Sequence, residues 1–341
     1  MNNEKTKKNL LSGNRILLLV ILAVAAALPL FTSDFQTNLL AKFLVFAILG
    51  VSYDLIWGFA GISNFGHAVF FGIGAYAFGI VSKYCTFPGV TYVALIAAIA
   101  APALFGAFLS FFLHHGNVSG AFFAVVTMCL CVVFESIASM WTPVTGGMNG
   151  LYGFAVPKLG IPGVWEFALS GFRAPYYAAL VGLVLVMILL WTLMKKRNFG
   201  KVIAALKNDE NRLSFLGYKA NHLKTVIFVI SCAIAGFAGA LYVPVATISP
   251  SILGMSMSIQ VLVWVAVGGR GSLWGPIVGA LLVCGMEEIL SGVVLNFWLL
   301  IIGVFFILVV MIWPDGFAGL VKTLGAKLKK PANAGAISRE G

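Results

Sequence analysis

The chain has 341 residues, of which 61% are hydrophobic and only 10% charged, and its mean hydropathy is +1.02. Ordinary soluble domains carry about 25% charged residues, so a soluble globule is excluded for want of polar side chain to wet its surface. A net charge of +11 would suggest nucleic acid in a soluble chain. Here the basic residues gather at the N-terminus (Lys5, Lys7, Lys8, Arg15), in segment 195–224 and in the tail (Lys322, Lys327, Lys329, Lys330). That distribution is the orientation signal of a membrane protein with all three segments inside, so no nucleic-acid partner is expected.

The N-terminal basic region runs into an apolar stretch from Ile16 to Leu30. A cleaved signal peptide fits less well than an uncleaved first span, because the run is long and another hydrophobic segment follows at once. Apolar runs continue near 15–31, 38–57, 67–83, 91–113, 119–140, 176–194, 225–245, 257–268, 275–291 and 296–313. They are continuous over roughly 18 to 22 residues rather than alternating over about ten, which predicts helices and not barrel strands. The expected architecture is an all-α polytopic membrane protein of about ten transmembrane helices, with eight plus re-entrant segments as the alternative. Six spans return the chain inside at 195–224, and four more return it to an inside tail. Residues 1–14 and 321–341 are then cytoplasmic ends, 15–320 the transmembrane domain, and 141–175 an extracytoplasmic cap or short interfacial helix carrying Trp141 and Trp165. The five cysteines (Cys85, Cys129, Cys131, Cys232, Cys284) have neither metal-site nor disulfide spacing and read as small hydrophobes.

Two stretches break the hydrophobic pattern, Trp57–Gly79 (WGFAGISNFGHAVFFGIGAYAFG) and Trp264–Gly285 (WVAVGGRGSLWGPIVGALLVCG). Each has a Trp, a Gly-punctuated polar kink and then a Gly-rich apolar helix. Irregular backbone at membrane depth survives only where protein or a water-filled cavity satisfies its amides. Paired interruptions of this kind point to a translocation path, with an inverted repeat as one reading of the pair. In the first, Asn64 and His67 could bind a polar solute, or Asn64 could simply cap the helix that follows while His67 bonds a carbonyl. The Gly61–His67 spacing imitates a phosphate loop, but the Lys-Ser/Thr pair it needs is His67-Ala68, so no nucleotide site is expected. Asp54 and Glu135 lie in apolar segments and must face a cavity, find a cation or stay protonated. Arg270, in the second break, is the candidate counter-ion. TGGMNG (Thr145–Gly150) reads as a tight external turn that could form a mouth for delivered solute. The candidate path residues are therefore Trp57, Asn64, His67, Glu135, Asn149, Trp264 and Arg270, with no catalytic or metal-binding residue.

Segment 195–224 is the one strongly polar island. It holds eight of the 22 basic residues but only two acids, Asp209 and Glu210. Val202, Ile203, Leu206, Leu213 and Leu216 recur at helical spacing, and Gly217 is the expected terminator. Two short amphipathic helices joined by a charged turn make a knob for a soluble partner. The bland reading is a basic helix lying on anionic lipid.

At these residues the chain resembles the permease subunits of ATP-driven (ABC) importers for branched-chain amino acids, with their urea and short-chain amide relatives. The resemblance runs from about 40 to 320 and rests on four stretches in the family's order: DLIWGFAGISNFGHAVFFGIGAYA, TGGMNG, NDENRLSFLGYKANHLKTVIFVISCAIAGFAGALY and VWVAVGGRGSLWGP. It implies a bacterial inner-membrane protein working with a homologous second permease, two cytoplasmic ATP-binding subunits and an extracytoplasmic solute-binding protein. ATP would be bound by those partners, with no cofactor or enzymatic activity in this chain. The resemblance also gives the loop with Lys207, Asp209, Glu210, Arg212 and Gly217 the ATPase-coupling role, although Glu210 to Gly217 is seven residues where the general importer pattern has six. ENRLSFLGY, GALYVPVATISPS and SIQVLVWVAVGGRGSLWGP look more like urea-type permeases, while TGGMNG is common to both, so the solute stays open. The alternative from another class is a stand-alone secondary transporter or channel, against which the sparse intramembrane charges argue. An intramembrane enzyme lacks any metal spacing or nucleophile motif.

Overall fold

The computed structural model describes residues 22–116, 118, 120–161, 165–196, 199–293, 298–312 and 316–319. The expected cytoplasmic ends 1–14 and 321–341, and the first residues of the first span, lie outside them. The chain forms a helical bundle. Its first helix, α1 (Leu22–Phe31), is tied to a later one by the hydroxyls of Tyr176 and Tyr177, which donate to the Ala25 and Ala26 carbonyls at 2.6 and 3.2 Å. Next comes α2 (Asp34–Asp54), whose start follows from the sequence Ser-x-x-Gln. Ser33 Oγ accepts the Gln36 N–H, and Gln36 Oε1 accepts the Ser33 N–H, which closes a capping box over two otherwise orphaned donors. α2 is mostly apolar and largely buried at the centre of the bundle.

A single π-turn (Leu55–Phe59) and an irregular stretch separate α2 from α3 (His67–Tyr84). Then follow α4 (Val90–His115) and α5 (Ala121–Met140). Residues 141–172 hold the four-residue α6 (Thr142–Thr145), a 3-10 turn (Gly147–Asn149) and an antiparallel pair, β1 (Lys158–Ile161) and β2 (Trp165–Ala168). The strand pair departs from the all-α expectation and from an interfacial helix there. Pro157 and Gly160 disfavour a helical run and leave extended backbone, which two short strands satisfy.

The second half consists of α7 (Arg173–Lys196), the short α8 (Phe199–Asn208) and α9 (Glu210–Phe215), then α10 (Ala220–Tyr242), α11 (Met255–Gly268), α12 (Gly275–Val293) and α13 (Trp298–Ile312). Among the described residues, six helices are long and apolar enough to cross a membrane by length and composition: Asp34–Phe59, Val90–His115, Ala121–Met140, Arg173–Lys195, Ala220–Tyr242 and Gly275–Gly292. The other four helices that coincide with expected spans, α1, α3, α11 and α13, are shorter or less apolar. The molecule is thus a polytopic helical membrane protein.

Helices in a bilayer gain little from the hydrophobic effect on meeting each other, so close van der Waals packing must hold them together. α3, α4 and α10 achieve this backbone to backbone. A Cβ on Gly74 would lie 2.4 Å from the Gly236 Cα, and one on Gly236 would lie 2.2 Å from both the Ala98 carbonyl oxygen and Pro102 Cγ. Pro102, inside α4, has no N–H to offer the Ala98 carbonyl, and α10 approaches at that point. All five cysteines are free; Cys131, Cys232 and Cys284 are buried, as small hydrophobes would be.

Candidate functional site

The two sequence breaks meet. Asp54, the last residue of α2, is buried, and its carboxylate accepts the Gly271 N–H at 2.8 and 3.1 Å from its two oxygens. Gly58 lies between them: a Cβ there would fall 1.8 Å from Asp54 Oδ1 and 2.3 Å from the Gly271 nitrogen. The corners of hairpin α2–α3 and hairpin α11–α12 are therefore at the same end of the bundle.

Arg270 forms no direct ion pair with Asp54 or Glu135, although its charge and that of Lys207 act on Asp54 from beyond contact. Its guanidinium lies over the Trp57 ring, 4.8 Å from the centroid, and Trp57 in turn packs on Tyr53 with centroids 5.6 Å apart. Asp54 is served instead by backbone, because a carboxylate sealed among helices is better matched by a fixed N–H than by a long, exposed cation. Glu135 is half-buried, with its carboxylate against Gly254, the residue preceding α11. There it complements the positive end of the helix dipole.

Asn64 and His67 are both buried and saturated. Asn64 Oδ1 accepts the Gly66 N–H at 2.9 Å, and its amide nitrogen is 3.4 Å from His67 Nδ1. Ser52 Oγ donates to the Leu49 carbonyl at 2.7 Å, leaving it to accept from His67 Nε2 at 2.8 Å. The broken backbone beside them is served by neighbouring helices: Thr127 Oγ1 accepts the Phe65 N–H at 3.1 Å, and Ser258 Oγ accepts the Ala68 N–H at 3.1 Å. The arrangement holds the break together, as irregular backbone in a bilayer requires. Trp264 is fully buried, stacked on Phe46 with centroids 4.9 Å apart. Asn149 is exposed in the 3-10 turn of TGGMNG, where Gly146, Gly147 and Gly150 all take positive φ, as a tight turn demands. This segment is stitched to the chain after α10, where the Leu151 N–H donates to the Ile248 carbonyl at 2.8 Å.

The polar island forms the expected pair of helices. Asp209 caps α9 by accepting the Arg212 N–H at 3.1 Å and also pairs with the Arg212 guanidinium at 2.9 Å. Glu210 accepts from Lys224 at the start of α10, and Gly217 ends α9 with φ +86°. Ile203, Leu206 and Leu213 are buried, but Leu216 is not. It is the cap residue beyond the last helical turn, so helical spacing no longer aims it inward. Phe215 and Leu216 are 90% and 75% exposed. On the opposite side of the knob, Lys207 Nζ donates to the Gly58 carbonyl at 2.7 Å. A cavity of about 280 Å³ lies between the knob and Ala60–Ser63, bounded by Lys207, Asp209, Glu210 and Lys224. The island, the π-turn and the second break are thus one connected unit.

Three charged residues within the long helices escaped the reading of the sequence: Lys42, Glu287 and Glu288. They line a cavity of about 350 Å³ between α2, α11 and α12. Each is a lone charge or a close pair in a long apolar run, so window averaging hides it; its helical position against the break was the available signal.

A family model described as the permease component of a branched-chain amino acid transport system matches residues 35–310. The chain belongs to that family. It is 27% identical over 327 residues to the high-affinity branched-chain amino acid transport system permease protein LivM of Salmonella typhimurium, covering 90% of this chain and 76% of that one. LivM of Escherichia coli K12 is also 27% identical, over 340 residues, with 94% and 78% covered. The ribose import permease protein RbsC of Escherichia coli K12 is 24% identical over 282 residues, with 78% and 81% covered. No solved structure gives a significant match. The family finding bears out the resemblance to branched-chain amino acid permeases and adds nothing specific for urea.

Proposed function

We propose that the chain is the permease subunit of an ATP-driven importer of branched-chain amino acids in the bacterial inner membrane. In this reading α1, α3, α11 and α13 complete ten spans with the six longer helices, and both termini and the α8–α9 knob face the cytosol. A second permease of the same family, two ATP-binding subunits and an extracytoplasmic solute-binding protein complete the assembly; the binding protein docks on the 141–172 face. This chain binds no nucleotide.

The observation that carries this reading is the two-sided knob, with an exposed apolar tip at Phe215 and Leu216 and the Lys207 bond to Gly58 behind it. An ATPase that grips the tip differently in its two nucleotide states shifts the knob; a partner with no differential affinity would shift nothing. Lys207 passes that shift to the π-turn, and Asp54 passes it to Gly271. Against a basic helix lying on anionic lipid stands the acidic turn of Asp209 and Glu210, which suits a protein socket better than a lipid headgroup.

The test is co-purification after replacing Phe215 and Leu216 by Asp. The doubly substituted chain should insert in the membrane and lose its ATP-binding subunits. Undiminished recovery of those subunits overturns the assignment of the tip. Uptake by the purified chain alone, driven by an ion gradient, favours a stand-alone transporter instead. Ribose is the second cargo to assay, because a ribose import permease is among the relatives.

A further inference from the structure

Lys42 and Glu287 occupy the same level of the bundle. Lys42 is twelve residues from Asp54 along α2, and Glu287 is twelve residues from Gly275 along α12. The ends they are counted from are neighbours at the Asp54–Gly271 joint, so each charge lies about 18 Å from it at 1.5 Å per residue. Both side chains are half-buried in helices long and apolar enough to cross a membrane. A charge at such depth faces a cavity or a partner, because hydrocarbon does not tolerate it. The two attract each other across the cavity without touching. No ion pair joins them, and the Lys42 ammonium lies 5.5 Å from the Phe46 ring centroid instead. Between them is the cavity of about 350 Å³, with Ser256 and Gln260 as neutral polar groups and Phe43 and Met257 as apolar wall. Trp264 stands one layer behind, holding Phe46 by stacking.

We propose that this cavity is a transit site for a zwitterionic α-amino acid, with Lys42 receiving the carboxylate, Glu287 the ammonium and the apolar wall the aliphatic side chain. The proposal rests on the import reading above and names the residues by which the permease itself recognises its cargo. A cation and an anion that face each other across a cavity without forming an ion pair match the two ends of an amino acid. A sugar or urea offers neither charge and would leave both groups unpaired, which is how a polar site rejects the wrong ligand. An amine without the carboxylate leaves Lys42 unmatched, and an acid without the ammonium meets the negative charge of Glu287 and Glu288.

The experiment uses the assembled importer in proteoliposomes carrying Ser256→Cys, an exposed position on the cavity wall. Maleimide modification of that cysteine is followed by site-resolved mass spectrometry. Leucine should slow the modification. Isoamylamine (leucine without its carboxylate), isocaproate (leucine without its ammonium), ribose and urea should not at the same concentration. Adding Lys42→Met should weaken protection by leucine about tenfold and close the gap to isoamylamine, whereas Glu287→Gln should close the gap to isocaproate. A merely structural defect would weaken every ligand alike, and that result overturns the proposal. So does equal protection by ribose, or no protection by leucine in vesicles that still import leucine on ATP. Vesicles that hydrolyse ATP without importing leucine overturn the cargo assigned above, and this site with it. Should Lys42→Met fail to assemble, the ligand series on Ser256→Cys alone still decides.

Discussion

The α3–α4–α10 contact and the α2–α11–α12 cleft share a close glycine contact and differ in what lies beyond it. In the first, backbone touches backbone through Gly74 and Gly236, with no room for a methyl group. In the second, α11 and α12 touch just as closely near their joint, where a Cβ on Gly279 would lie 1.9 Å from the Trp264 carbonyl oxygen, and part only farther along to leave a cavity edged by Lys42, Glu287 and Glu288. Both contain α-helices of similar composition, so hydropathy does not tell them apart. The difference is where small residues and charges fall, and it separates a part that must keep its shape from a part that must meet a polar solute.

The hardest blow to this contrast is on the packed side. Gly236→Leu drives a branched side chain into the Ala98 carbonyl and Pro102, so it should prevent recovery of a monodisperse protein in detergent. Even Gly236→Ala should cost about 1 to 3 kcal/mol, read as a lowered thermal midpoint. An unchanged midpoint for the Ala variant would show that α10 is free to move away from α4. The joint between the two regions comes next. Asp54→Leu orphans the half-buried Gly271 N–H, at about 1 kcal/mol, and should abolish ATP-driven uptake; full uptake would show the joint to be dispensable. Lys207→Met should leave the fold intact but cut uptake per ATP hydrolysed severalfold, because the knob then no longer holds the Gly58 carbonyl. Equal transport-to-hydrolysis ratios for the two proteins would count against the link. The smallest effect is expected at Arg212→Ala. That side chain is 86% exposed, and surface ion pairs contribute about 0 to 1 kcal/mol, so the thermal midpoint should scarcely move.

Much of this is legible in the residues themselves. Continuous apolar runs announce the helices, and Gly217 marks the stop of α9 because a positive φ is a local requirement; Asp209, legible only as part of a charged turn, proves to cap that helix. The breaks at Trp57–His67 and Gly268–Gly275 are equally plain in their glycines. What stays hidden is tertiary. Nothing local says that Asp54 meets a backbone N–H rather than Arg270, or that Asn64 and His67 spend their polar capacity on each other, Ser52 and Gly66. Trp264 was legible as important but not as a buried support. Leu216 shows that periodicity misleads one residue past a helix end.

The glycine contact has a consequence for how such a protein can diversify. A surface made of carbonyl oxygens and α-carbons offers mutation nothing to edit except by breaking it, whereas the cleft wall is made of exchangeable side chains. Novelty in what the molecule carries can accumulate on one flank while the other remains the fixed chassis on which it is tried.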